Sequence, residues 1–196
     1  MSDMESVVHA VRRRATRLLG MGVRMSAAFS IGTTAAADEI GRAATQDDIQ
    51  GRNLTVLPSG AGLPAGQGSV SQGRVVYQAK CAACHGANGE GVGEYPALVG
   101  GRGSLGTATP VLTVGSYWPY STTVWDYIRR AMPYETPGSL SHDEVYAVTA
   151  WLLHANGIVP DTATLDHDSL PQVPMPNRKG FVVDPRPDVK PPRKSN

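Results

Sequence analysis

Hydrophobic and polar positions fall into regular patterns only in the middle of the chain. Val70, Gly73, Tyr77 and Cys81 recur every three or four residues, which places them on one stripe of a helix beginning near Ser69. Val124, Trp125, Ile128 and Ala131 form a second stripe and predict a helix from about Thr122 to Ala131, ended by Met132-Pro133. A third helix is predicted from Ser141, a good N-cap with Glu144 three residues on as a capping box. Its apolar face is Val145, Val148, Thr149, Leu152 and Leu153, and Asn156-Gly157 terminates it. These patterns place a helical domain at residues 69–157.

The flanks read differently. Residues 38–68 are polar and glycine-rich, with Leu54, Val56 and Leu57 their one clear apolar cluster, and predict an irregular N-terminal arm. Residues 158–196 form a proline-rich C-terminal arm, with seven of the 15 prolines between Pro171 and Pro192. Proline fixes φ and lacks the N–H donor, so neither helix nor central strand is expected there. Such an arm is extended and either wraps the domain or reaches a partner. Beyond Pro185 charge and proline dominate and the tail reads as disordered, whereas Val173, Met175, Phe181 and Val182 give the preceding stretch something to pack.

Residues 1–37 have the order of a secretory signal. Arg12, Arg13, Arg14 and Arg17 precede a mildly apolar run from Leu18 to Ile31, broken by Arg24, and then small residues. Ala35 and Ala37 flank the expected cleavage site, leaving Asp38 first, and export to the periplasm is the expectation.

Composition narrows the function classes. The 196 residues suit one domain with a leader and arms, and 41% apolar with 18% charged residues argues against full disorder. A net charge of +1 gives no reason to expect nucleic acid as a partner. Residues 1–37 hold five Arg and two acids, so 13 basic and 15 acidic residues remain without them. No uncharged run of 18 apolar residues is present, so no transmembrane helix is read. Two cysteines exclude a disulfide-dense scaffold.

Both cysteines lie in Cys81-Ala82-Ala83-Cys84-His85, the C-x-x-C-H signal for covalent attachment of haem c. Each thiol adds to one haem vinyl group, and two intervening residues let both sulfurs reach one porphyrin from a single turn. The adjacent His85 then presents Nε2 to the iron. A thioredoxin-like site would want a βαβ setting, a zinc site two more ligands at short spacing, and a Cys81–Cys84 disulfide would close a strained loop. A glycine loop, residues 86–93, follows, and then Tyr95-Pro96-Ala97-Leu98. A proximal histidine needs an acceptor for its Nδ1–H, and the carbonyl of Pro96 is the candidate. A methionine thioether is a candidate sixth ligand. Past the leader, Met132 and Met175 remain, one between two helices and one in the proline-rich arm. Trp118, Tyr120 and Arg102 are candidate donors to haem propionates.

Gly73-x3-Tyr77-x3-Cys81-x2-Cys84-His85, Pro96-Ala97-Leu98, Arg130-Ala131-Met132-Pro133 and Val148 to Leu153 resemble class I cytochrome c in order and spacing. The resemblance implies an all-α fold of three or more helices around one covalently bound haem. Gly73 and Tyr77 would pack across the last helix against Val148, Trp151 and Leu152, and Met132 would be the sixth ligand. A closer resemblance runs from about residue 41 to residue 183. It is carried by Gly41-Arg42-x-Ala44-Thr45, Gly62-Leu63-Pro64-x-Gly66-x-Gly68-Ser69-Val70, Val114-Gly115-Ser116-Tyr117-Trp118-Pro119-Tyr120, Trp125 to Pro133 and Met175-Pro176-Asn177-Arg178-x-Gly180-Phe181. These look like the cytochrome c subunit of sulfane dehydrogenase (SoxD type) and related sulfite dehydrogenase cytochromes. That implies an electron-transfer subunit rather than an enzyme in itself. Its partners would be a molybdenum-containing, sulfite-oxidase-like catalytic subunit, bound through the arms, and a downstream electron-accepting cytochrome. A free-standing electron shuttle and a haem enzyme or gas sensor with a labile sixth position are the competing functions.

Overall fold

The structure, a computed structural model, describes residues 41–182 together with Arg186 and Asp188. The expected signal segment, its cleavage after Ala37 and most of the tail beyond Pro185 lie outside the described residues. The chain divides into two units, Met1–Gly51 and Arg52–Asn196.

In the first unit the irregular arm contains a helix. α1 runs Gln46–Arg52 and is started by a reciprocal cap. Asp48 N–H donates to Thr45 Oγ1 at 3.2 Å, while Thr45 N–H donates to Asp48 Oδ2 at 2.9 Å. Arg42 grips the same carboxylate with two nitrogens, at 2.6 and 2.9 Å. Arg42 and then Thr45 hold the Asp48 carboxyl well below the usual aspartate range. A capping box satisfies the orphan N–H groups of the first turn, which explains order in so polar a segment.

In the second unit the elements follow as β1 (Gln67–Ser69), α2 (Val70–Lys80), α3 (Ala82–His85), a 3-10 turn at Ser104–Gly106, α4 (Ser121–Ala131), α5 (His142–Ala155), β2 (Thr164–Asp166) and a 3-10 turn at Leu170–Gln172. The fold is mostly helical, as expected, with one addition. β1 and β2 pair antiparallel, Gln67 with Asp166 and Ser69 with Thr164. Three-residue strands are too short to show a period-two pattern, so the sequence reads this segment as arm.

The predicted capping box forms at Ser141, and a second one, which the sequence reading does not single out, starts α2. Ser69 caps α2 with Gln72, and Ser141 caps α5 with Glu144. α2 stops at Lys80 because Cys81 leaves helical geometry at φ −125°, and α3 restarts at Ala82. α5 is the core element. Every residue from Val145 to Leu153 is buried, well beyond the single apolar face that the pattern predicts. A helix covered on all sides needs neighbours on all sides. α2, α4, β1 and β2 all contact it.

Part of the remaining cover comes from the C-terminal arm. Leu165, Leu170, Val173 and Met175 are buried in the same core as Tyr77, Trp125 and Trp151. Ser121 Oγ donates to Leu170 O at 2.6 Å. Further on, Asn177 Nδ2 donates to Tyr117 O at 2.7 Å, Arg178 stacks over the Tyr120 ring and Phe181 meets Tyr117 edge-on. The arm therefore wraps its own domain as far as Phe181.

Candidate haem attachment site

The site is built on the crossing of α2 and α5. An ideal Cβ at Gly73 would overlap Ala147 O and lie 2.9 Å from Trp151 Cβ, so the missing side chain is what lets the helices touch. One turn on, the Tyr77 ring stacks on Trp151 with centroids 3.8 Å apart. Trp151 is the expected partner; Ala147 is the neighbour that helical periodicity does not single out.

Tyr77 is completely buried and its hydroxyl donates to Gly86 O at 2.8 Å, which ties the end of α2 to the residue after His85. Cys81 and Cys84 are free thiols, both partly buried. Burial, reinforced by Cys84, pushes the Cys81 thiol up to about 11.

His85 Nδ1 lies 2.9 Å from Pro96 O. A carbonyl only accepts, so Nδ1 carries the proton and Nε2 presents its lone pair. The intervening loop folds through glycines. Gly86, Gly89 and Gly91 all have φ between 82° and 84°, where side chains with a Cβ are strained.

Met132 caps the end of α4 and is partly buried against the core, as are Cys81, Ala82, Leu98 and Trp118. Met175 is 3% exposed and packed inside the core. Two free thiols in one turn, an imidazole with Nε2 available, and half-covered apolar side chains fit a flat, apolar, covalently held group. Among the described residues no cluster of three His, Cys, Asp or Glu is placed to hold a metal ion by itself.

The candidate propionate donors have partners within the chain. Arg102 donates to Asn156 O at 3.3 Å, Tyr120 lies under Arg178, and Trp118 meets Tyr127 edge-on. Asn156 is a residue that sequence reasoning reads only as a helix terminator. Its side chain accepts from Gly100 N–H at 3.1 Å and donates to Leu98 O and Leu152 O at 3.1 and 2.9 Å. It thereby pins the segment after Pro96 to the end of α5. Nothing local in the sequence marks a bond across 58 residues.

The family profile "Cytochrome c" matches residues 70–156. No curated protein matches the chain. Among solved structures, the sulfane dehydrogenase SoxCD from Paracoccus pantotrophus is 41% identical, with 81% of each chain covered and a TM-score of 0.72. No described helix is long and apolar enough to cross a membrane. With the attachment segment, the helix crossing and this relative in agreement, the chain belongs to the class I cytochrome c family, binds haem c covalently and resembles SoxD-type subunits.

Proposed function

We propose that this cytochrome is the electron-accepting subunit of a periplasmic dehydrogenase for a sulfur compound. It takes electrons one at a time from a molybdenum-containing, sulfite-oxidase-like catalytic subunit and passes them to a downstream cytochrome. The observation that carries the reading is the 41% identity with the SoxCD structure over 81% of both chains. A likeness confined to the haem segment would support only a generic electron carrier. Export through residues 1–37 with cleavage after Ala37 belongs to the same reading.

In this reading the chain's residues divide the work as follows. Cys81 and Cys84 hold the haem through thioethers, which fixes its edge to α2 and α3. His85 binds the iron through Nε2, and Pro96 O fixes the ring plane by accepting from Nδ1. Met132 would supply a thioether sulfur to the iron, because Met175 is committed to the core. When bound, the haem supplies a reversible one-electron iron couple. Held by both His85 and Met132, the iron would have no open position for a substrate, and the chain would carry electrons rather than catalyse.

Two measurements test this. Carbon monoxide should leave the spectrum of the reduced protein unchanged without denaturant; ready binding would sink the two-ligand reading. A tagged chain should co-purify with a molybdenum subunit and be reduced when that complex receives its sulfur substrate. A chain that purifies alone and stays oxidised would make it a free-standing shuttle.

A further inference from the structure

The loop after His85 is held from both sides. From α2, Tyr77 donates to Gly86 O at 2.8 Å, and Gln78 Nε2 donates to Ala87 O at 2.7 Å. From the returning chain, Gly91 N–H donates to His85 O at 2.8 Å, and the N–H groups of Leu98 and Val99 share Gly89 O at 2.8 and 3.0 Å.

An exposed carboxylate is folded back into the middle of this loop. Glu90 Oε2 accepts from Asn88 N–H at 2.7 Å. Its own backbone N–H, then those of Asn88 and Ala87, hold its carboxyl below the usual glutamate value. None of the ion pairs among the described residues includes Glu90. The position over Gly86 is built for it. An ideal Cβ at Gly86 would lie 2.5 Å from Glu90 Cδ and 2.6 Å from Oε2. The loop also backs directly onto the proximal acceptor. An ideal Cβ at Gly91 would lie 2.9 Å from Ala97 N and 3.1 Å from the carbonyl carbon of Pro96.

We propose that Glu90 and Tyr77 are positioning residues for His85: together they lock residues 86–91 so that Pro96 O stays on the Nδ1–H and sets the donor strength of Nε2. The proposal rests on His85 being the proximal ligand. A firm acceptor on Nδ1 makes the ligating nitrogen more basic and favours the oxidised iron. Loosening the loop should therefore raise the reduction potential. The carboxylate and the phenol act through the loop backbone between Gly86 and Gly91.

The test uses the full haem-loaded chain with Tyr77→Phe, Glu90→Gln and Glu90→Asp. Tyr77→Phe removes one hydroxyl and no charge. The readouts are solvent exchange of the His85 Nδ1 proton in the reduced state, followed by NMR, and the potential at low and high salt. Losing one neutral hydrogen bond corresponds to about tenfold faster exchange. The expected result is that rise in Tyr77→Phe and Glu90→Gln, with an upward potential shift that persists at high salt and partial recovery in Glu90→Asp. Unchanged exchange and potential in Tyr77→Phe would overturn the proposal. So would a Glu90→Gln shift that vanishes in high salt, since screening removes a bare charge effect but not a geometric one. If Tyr77→Phe fails to load haem, the salt-resistant part of the Glu90→Gln shift decides. Failure of the ligand reading itself would show separately, as carbon monoxide binding in the unaltered protein.

Discussion

Gly73→Ala tests the close packing of α2 on α5. The new Cβ would overlap Ala147 O and lie 2.5 Å from Ala147 C and 2.9 Å from Trp151 Cβ. Two of these three atoms are backbone of α5, whose residues Val145–Leu153 are all buried, so α5 cannot yield without moving the core. α2 and α5 must instead separate by roughly 1 Å, an overpacking strain of about 1–3 kcal/mol. Separation also weakens the Tyr77–Trp151 stack, a further loss of about 0.5–1.5 kcal/mol. Against this, alanine is favoured over glycine in a helix interior by about 1 kcal/mol. The net expectation is a loss of about 2 kcal/mol and a melting temperature lower by roughly 5–10 °C, followed by far-UV circular dichroism of the haem-loaded protein. Gly106→Ala is the control, because no atom lies within 4 Å of its ideal Cβ and its φ is not in the left-handed region. Adding Ala147→Gly to Gly73→Ala should not restore stability, since the obstacle is a carbonyl oxygen and not a side chain. A Gly73→Ala protein that melts at or above the unaltered one would refute the reasoning.

The two methionines should separate cleanly. Met175→Ala opens a core cavity and should cost about 2–5 kcal/mol in a denaturant titration while keeping the weak methionine–iron band of the oxidised protein. Met132→Ala should lose that band; its survival would move the ligand to Met175. Asn156→Ala removes three side-chain bonds and should cost about 2–4 kcal/mol, with faster amide exchange at Gly100. Acid should undo α1 before α5. The Asp48 carboxyl is depressed in the folded arm by Arg42 and Thr45, so its stabilisation is fully present above the ordinary aspartate pKa and is lost as pH falls through the lower, folded value. Amide exchange at Ile49 should therefore rise below about pH 4, and Arg42→Gln should move that rise to higher pH. Protection that is flat with pH down to the melting of α5 would refute the cap's role.

What the sequence discloses and what it hides divides along the length of the interactions. Helix starts and stops are written locally: Ser69 with Gln72, Ser141 with Glu144 and Met132-Pro133 each act within four residues. The hydrogen bond between His85 and Pro96 is almost as local, 11 residues apart across a glycine loop. Thr45-x-x-Asp48 is an equally local signal, yet it sits in so polar a stretch that no apolar stripe points to a helix. Tyr146 to Pro64 spans 82 residues and Asn156 to Leu98 spans 58, and neither has a periodic trace. The β1–β2 ladder is hidden for the same reason, compounded by strands of three residues.

The proline-rich arm takes the first of the two roles its composition allows, wrapping the domain. Its prolines exclude helix and central strand, and that exclusion holds: between Pro160 and Phe181 the chain makes only a three-residue edge pairing and one 3-10 turn. Exclusion from regular structure is nevertheless not exclusion from the core. Leu165, Leu170, Val173 and Met175 are spaced by two to five residues, a pattern that belongs to neither a helix nor a strand. All four are buried, because a chain with fixed φ can be laid along a surface and drop one side chain at a time into it. A central helix buried over nine consecutive residues needs this cover, since α2 and α4 occupy only part of its circumference. The arm up to Phe181 is therefore part of what makes the haem domain a closed body, and removing it would uncover α5 rather than merely detach a partner.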